Sequence, residues 1–111
     1  MSAPVLTQAA GALLRGLVAR SGASRSEVLL TEVRSVDWRS LTFDGERHEF
    51  AMRFTGPGAA READRMLEGL DEHEFALPGA IVADINVAGR CVGLGDGSVS
   101  IAIEALTISS N

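Results

Sequence analysis

Two alternating stretches constrain the fold more than anything else in this chain. Ala80–Val87 reads Ala-Ile-Val-Ala-Asp-Ile-Asn-Val, and Val99–Ile108 reads Val-Ser-Ile-Ala-Ile-Glu-Ala-Leu-Thr-Ile. Successive side chains of an extended strand point to opposite sides. A period of two with β-branched residues therefore marks paired strands with one buried side. In the first stretch Ile81, Ala83, Ile85 and Val87 share one side, and Val82, Asp84 and Asn86 share the other. In the second, Val99, Ile101, Ile103 and Ala105 oppose Ser100, Ala102, Glu104 and Leu106.

A second hairpin is expected upstream. Asp44-Gly45 has the composition of a two-residue hairpin turn, in which both central residues take positive φ. That turn predicts Phe43 opposite Glu46, Leu41 opposite His48 and Arg39 opposite Phe50. Leu41 and Phe43 then share a core side with Phe50, Met52 and Phe54. The preceding stretch, Glu27 to Phe43, is read as a strand because it is rich in Val, Leu, Thr and Trp, although Ser24-Arg-Ser-Glu27 also matches a helix capping box. Val36 and Trp38 have the wrong parity for this core side. Either a bulge near Arg39–Ser40 returns them to the core, or Trp38 faces out on the other side of the sheet.

Two helices complete the pattern. From Pro4 to about Arg20, Leu6, Ala9, Ala10, Leu13, Leu14, Leu17 and Val18 form one apolar stripe. Gly11, Ala12, Gly16 and Ala19 give its back small residues, which suit either a weakly solvated surface or the close approach of a second helix, from this subunit or another. Gly56-Pro57 opens the second helix, with Pro at the first helical position and a stripe of Ala60, Ala63, Met66, Leu67 and Leu70.

The order α-β-β-α-β-β predicts an α+β fold, a two-layer sandwich of one four-stranded antiparallel sheet with both helices on one face. It is the order obtained by moving the first strand of a ferredoxin-like β-α-β-β-α-β unit to its end, by analogy of topology. That analogy places Glu46–Thr55 and Val99–Ile108 in the middle of the sheet. The 111 residues are expected to form one domain, 1–111.

Composition removes several function classes. The net charge of −5 argues against a nucleic-acid partner, whose backbone is held by neutralising phosphates. All ten basic residues are Arg, so Schiff-base chemistry and a phosphate-loop lysine are excluded. The single cysteine, Cys91, cannot form a disulfide within the chain, which suits a reducing compartment. There is neither a basic segment leading into an apolar run nor an apolar stretch of about 20 residues, so no membrane partner and a cytoplasmic location are expected.

The individual motifs carry little chemistry. The glycine run from Gly89 to Gly97, with Arg90, Cys91 and Leu94 within it, opens no helix and lacks the residues of a phosphate cradle; it reads as a hairpin connection, and the polar Ser109–Asn111 as a tail. Cys91 has no neighbouring His in sequence to activate it. His73, among Asp71, Glu72 and Glu74, has no paired-ligand spacing, so the acidic loop reads as solvated and metal regulation by it is the weakest reading. His48 is expected on the core side, partly covered near the strand end. No cofactor is implied.

The informative surface is the sheet side that the helices leave bare. It is expected to carry Arg47, Glu49, Ala51 and Arg53, with Ser100, Ala102, Glu104 and Leu106. Val82, Asp84 and Asn86 join them, and Trp38 if it faces out. An apolar patch ringed by charge suits a partner surface. The leading expectation is a non-catalytic binding module whose partner is itself, as a homodimer or a larger assembly, with Trp38, Val82, Ala102 and Leu106 as the dry centre. The alternative is an isomerase or lyase on a small anionic ligand, held by Arg53, with Asp84 or Glu104 as acid or base.

Overall fold

The computed structural model describes residues 6–93 and 95–110. The expected helix start at Pro4, together with Leu94 and Asn111, lies outside them. In chain order the elements are α1 (Gln8–Ser21), β1 (Val28–Arg39), β2 (Asp44–Phe54), α2 (Ala59–Leu67), β3 (Ala80–Val92) and β4 (Val99–Ser109). The four strands form one antiparallel sheet in the order β1-β2-β4-β3, so β2 and β4 are central.

Both helices bury their stripes on the same side. Leu13, Leu14 and Leu17 of α1 and Ala63 and Met66 of α2 join one cluster with Phe50, Met52 and Phe54 of β2 and Val99, Ile101 and Ile103 of β4. The alternation of β4 survives intact, with Val99, Ile101, Ile103, Ala105 and Thr107 all inward. α1 begins at Thr7, whose Oγ1 accepts from the Ala10 N–H at 3.1 Å, and ends at Gly22 in the left-handed region. α2 starts later than Pro57, with Gly58 as its cap, and buries Ala59 rather than Ala60. Arg20 of α1 ties the helices together. Its Nε donates to the Met66 carbonyl at 3.0 Å and its Nη2 to the Glu68 carbonyl, meeting acceptors that the end of α2 leaves open. The small back of α1 is filled from within the chain. The Phe75 ring lies against Gly16, where a Cβ would sit 2.8 Å from Cδ1.

The first hairpin departs from expectation. The turn is Ser40–Phe43, with the Ser40 N–H donating to the Phe43 carbonyl at 2.8 Å, and Arg39 pairs with Asp44. Asp44-Gly45 is therefore strand, not turn. Leu41 is fully exposed and Phe43 about half exposed, so neither reaches the core. Gly45 serves a different need: a Cβ there would collide with the backbone carbonyl of Thr107 on β4. No non-glycine residue among those described has positive φ, and Gly45 does not either, so no type I′ turn exists here. The bulge in β1 falls between Leu30 and Glu32, not near Arg39, and Trp38, opposite Gly45, faces away from the helices.

His48 is buried, and its ring joins three strands. Nδ1 lies 2.7 Å from Ser35 Oγ on β1 and Nε2 lies 2.9 Å from Thr107 Oγ1 on β4. The Thr107 hydroxyl also lies 3.5 Å from the Glu46 carbonyl. Burial holds the His48 pKa below the ordinary value of 6.5, with nearby Glu46 opposing the shift.

Two predictions follow from this packing. Gly45→Ala and Gly45→Asn should each destabilise the protein by about 1–3 kcal/mol in urea unfolding, since a backbone carbonyl must move; a turn glycine would have tolerated Asn. For His48, the unfolded chain binds a proton between the folded pKa and about 6.5 that the native chain does not, so stability should fall as pH drops through that window. His48→Gln, followed by thermal melts from pH 7 to pH 5, should flatten that slope.

Candidate functional site

The sheet register sets the outer face out in transverse rows. From the end near the first hairpin, the rows read β1 to β2 to β4 to β3. The first is Trp38, Gly45, Ile108 and Ile81, and the second is Val36, Arg47, Leu106 and Asp84. The third is Arg34, Glu49, Glu104 and Asn86. The fourth is Glu32, Ala51, Ala102 and Gly89, and the last is Leu29, Arg53, Ser100 and Cys91. Successive rows are about 6.6 Å apart. The face is apolar at one end, ionic in the middle and floored by small residues beyond.

Of the residues expected on this face, Trp38, Arg47, Arg53, Asp84, Asn86, Ala102, Glu104 and Leu106 are there. Val82 is not. β3 shifts register between Val82 and Asp84, leaving Ala83 as the extra residue of a bulge. The bulge reverses the parity of everything before it. Val82 turns inward opposite Thr107 and packs on the core, while Ile81, expected inward, turns outward and is half exposed. A second shift between Val87 and Gly89 sends Arg90 inward, where Nη1 meets Asp64 Oδ1 of α2 at 2.7 Å.

The expected catalytic grouping is not assembled. Arg53 stands opposite Ser100, whereas Asp84 stands opposite Leu106. Six residues along the strand separate Arg53 from the Arg47 row, about 20 Å. Arg53 is instead paired at 2.5 Å with Asp96 of the β3–β4 connection. Asp96 also accepts from the Ser98 N–H at 2.9 Å and from its hydroxyl at 2.8 Å. These two Ser98 bonds, reinforced by Arg53, hold the Asp96 carboxyl below the ordinary carboxylate range.

Around Asp84 and Glu104 the structure shows a shallow depression of about 140 Å³, lined by Arg47, Glu49, Asp84, Asn86, Glu104, Ala105 and Leu106. Asp84 and Glu104 are both exposed, so the half-buried carboxylate expected of an acid or base is missing. Glu49 lies directly opposite Glu104, and Arg34 reaches Glu49 at 3.8 Å. Like charges directly opposed across strands are unfavourable in an isolated sheet. Cys91 is exposed on the far end of the face. Among the described residues no group of three or more His, Cys, Asp or Glu is placed to hold a metal.

Alternation could not signal Ile81 as a surface residue, since its parity with Ile85 and Val87 marks it as core.

Protonating Asp96 should loosen the β3–β4 connection. Its lowered pKa contributes stability above the unfolded value of about 3.9 that is lost as pH falls through the folded one. Asp96→Asn should raise amide exchange at Gly95–Ser98 at neutral pH and remove that acid-range change, as read by hydrogen exchange. No helix among the described residues is long and apolar enough to cross a membrane. Comparison of the chain with protein-family models, with curated proteins and with solved structures finds no match.

Proposed function

We propose that this protein is a small non-catalytic binding module that pairs with a second copy of itself through the outer face of its sheet. The observation that carries this reading is the order of the rows. Trp38, Ile108 and Ile81 form an apolar row, extended by Val36 and Leu106. In the ionic rows next to it, Arg34 and Arg47 lie on the β1–β2 half together with Glu49, and Asp84 and Glu104 on the β4–β3 half.

Such a face is complementary to itself. A two-fold axis lying between two sheets and running along the strands carries β1 of one protomer over β3 of the other, and β2 over β4, row upon row. The apolar rows then meet each other. The partner's Asp84 then lies over Val36, one row from Arg34 and one strand from Arg47, and the partner's Glu104 lies over Glu49, one row from Arg47, so the acids meet these arginines on the diagonal and the Glu49–Glu104 opposition recurs across the axis. Aligned sheets pack about 10 Å apart, and the small fourth row, with Ala51, Ala102 and Gly89, allows that approach. Four strands by five rows give a footprint of about 19 Å by about 30 Å. With side-chain relief this approaches the ~800 Å² per partner of a standard interface.

The reading extends to a cytoplasmic protein, supported by a single exposed cysteine and no disulfide. It extends also to a circular permutation of the ferredoxin-like unit, supported by the strand order β1-β2-β4-β3.

Sedimentation equilibrium tests the pairing. The wild type should sediment at twice the chain mass, and Trp38→Ala should raise the dissociation constant at least tenfold. Arg47→Glu should abolish pairing, and Arg47→Glu with Glu104→Arg should recover part of it. A monomeric wild type, or a mass unmoved by Trp38→Ala, overturns the reading.

A further inference from the structure

The helix side of the sheet carries a second feature, remote from the paired face. α1 and α2 leave the start of β1 uncovered, and a groove of about 780 Å³ opens between α1 and that strand. Met52, Val28 and Leu30 form its floor, and Leu14 and Val18 of α1 form one wall. Met52 is buried at the base of the groove, but Leu30 is about half exposed although it lies opposite Met52 on the core side. The bulge at Thr31 bends β1 next to this point. The volume falls in the range of about 300–1,000 Å³ typical of small-molecule sites.

The charged groups in the lining are Arg15 and Arg25; among the described residues no carboxylate lines the groove. Neither guanidinium forms an ion pair with an acid among the described residues. Arg15 folds back along α1, its Nη1 over Gly11. Elsewhere Arg20 is engaged on carbonyls of α2, Arg90 on Asp64 and Arg53 on Asp96, while Arg65, whose Nη1 lies by Gly22 in the groove lining, has no ion pair among the described residues. An apolar trough with two unpaired guanidiniums along it, in a protein of net charge −5, is complementary to an anion with a long apolar tail.

We infer that this groove binds a single-chain amphiphile with a carboxylate head, of the fatty-acid class, with its alkyl chain along Leu14, Val18, Leu30 and Met52 and its head between Arg15 and Arg25. The site shares no residue with the paired face. Ligand binding and self-association are therefore separable in experiment.

Titration calorimetry of the full chain with sodium dodecanoate, below its micelle concentration and at low salt, tests this. One-to-one saturable binding is expected. Octanoate should bind at least tenfold more weakly, since each buried methylene is worth about fourfold in affinity. Arg15→Ser with Arg25→Ser, both exposed, should weaken dodecanoate at least tenfold while leaving dodecanol and the melting transition unchanged. Leu30→Asp should abolish binding without lowering the sedimenting mass. Absence of saturable binding overturns the inference, as does affinity indifferent to both sets of variants. So does adsorption to anionic vesicles without binding of the free acid, or a mass change on Leu30→Asp, which would make the groove a protein contact.

Discussion

Everything in this fold rests on burying one side of the two central strands. Phe50, Met52 and Phe54 of β2 and Val99, Ile101 and Ile103 of β4 lie under both helices, nearly without solvent contact. Fully burying one such side chain is worth about 1.5–3 kcal/mol, so the stripe outweighs any local preference in the edge strands. Because the side-chain period is two, burying that stripe dictates the opposite face as well. The Ser35–His48–Thr107 chain reinforces the register, since a one-residue slip would leave a buried imidazole without partners.

Legibility in the sequence follows the same line. The central strands alternate without interruption, so their inward residues and most of each helix stripe could be read directly, Ala59 in place of Ala60 excepted, while their central placement came by analogy of topology. The edge strands could not be read this way. β3 carries two bulges and β1 carries one, and each inverts parity without any unusual residue to mark it. Val82 and Ile81 exchanged faces for that reason. Asp44-Gly45 misled differently. Glycine serves both positive φ and close backbone approach, and only the neighbouring strand shows which one operates. On the outer face, every residue expected there but Val82 stands on it, yet Arg53 and Asp84 lie three rows apart, because spacing along two strands does not reveal their stagger.

The bulges bear on assembly too. Exposed strand edges invite endless pairing with further chains, and bulges and charges blunt them. β1 and β3 are both edges. β3 is interrupted twice, and β1 once, with Glu32, Arg34 and Asp37 along it. Association through such edges is discouraged, which leaves the face with its graded rows as the surface suited to a closed pair. The groove beside α1 lies on the opposite side of the sheet from that face, so an occupant of the groove would not contest its space.

Arg20 has one more consequence. By holding the last carbonyls of α2 from the last turn of α1, it makes the end of each helix depend on the other. The helical layer should therefore open as one cooperative unit rather than fray helix by helix, with the amides of α1 and α2 sharing a single opening free energy. Transient exposure of the sheet's oily underside then requires the loss of both helices at once. That rarity shields the chain from clumping during its fluctuations.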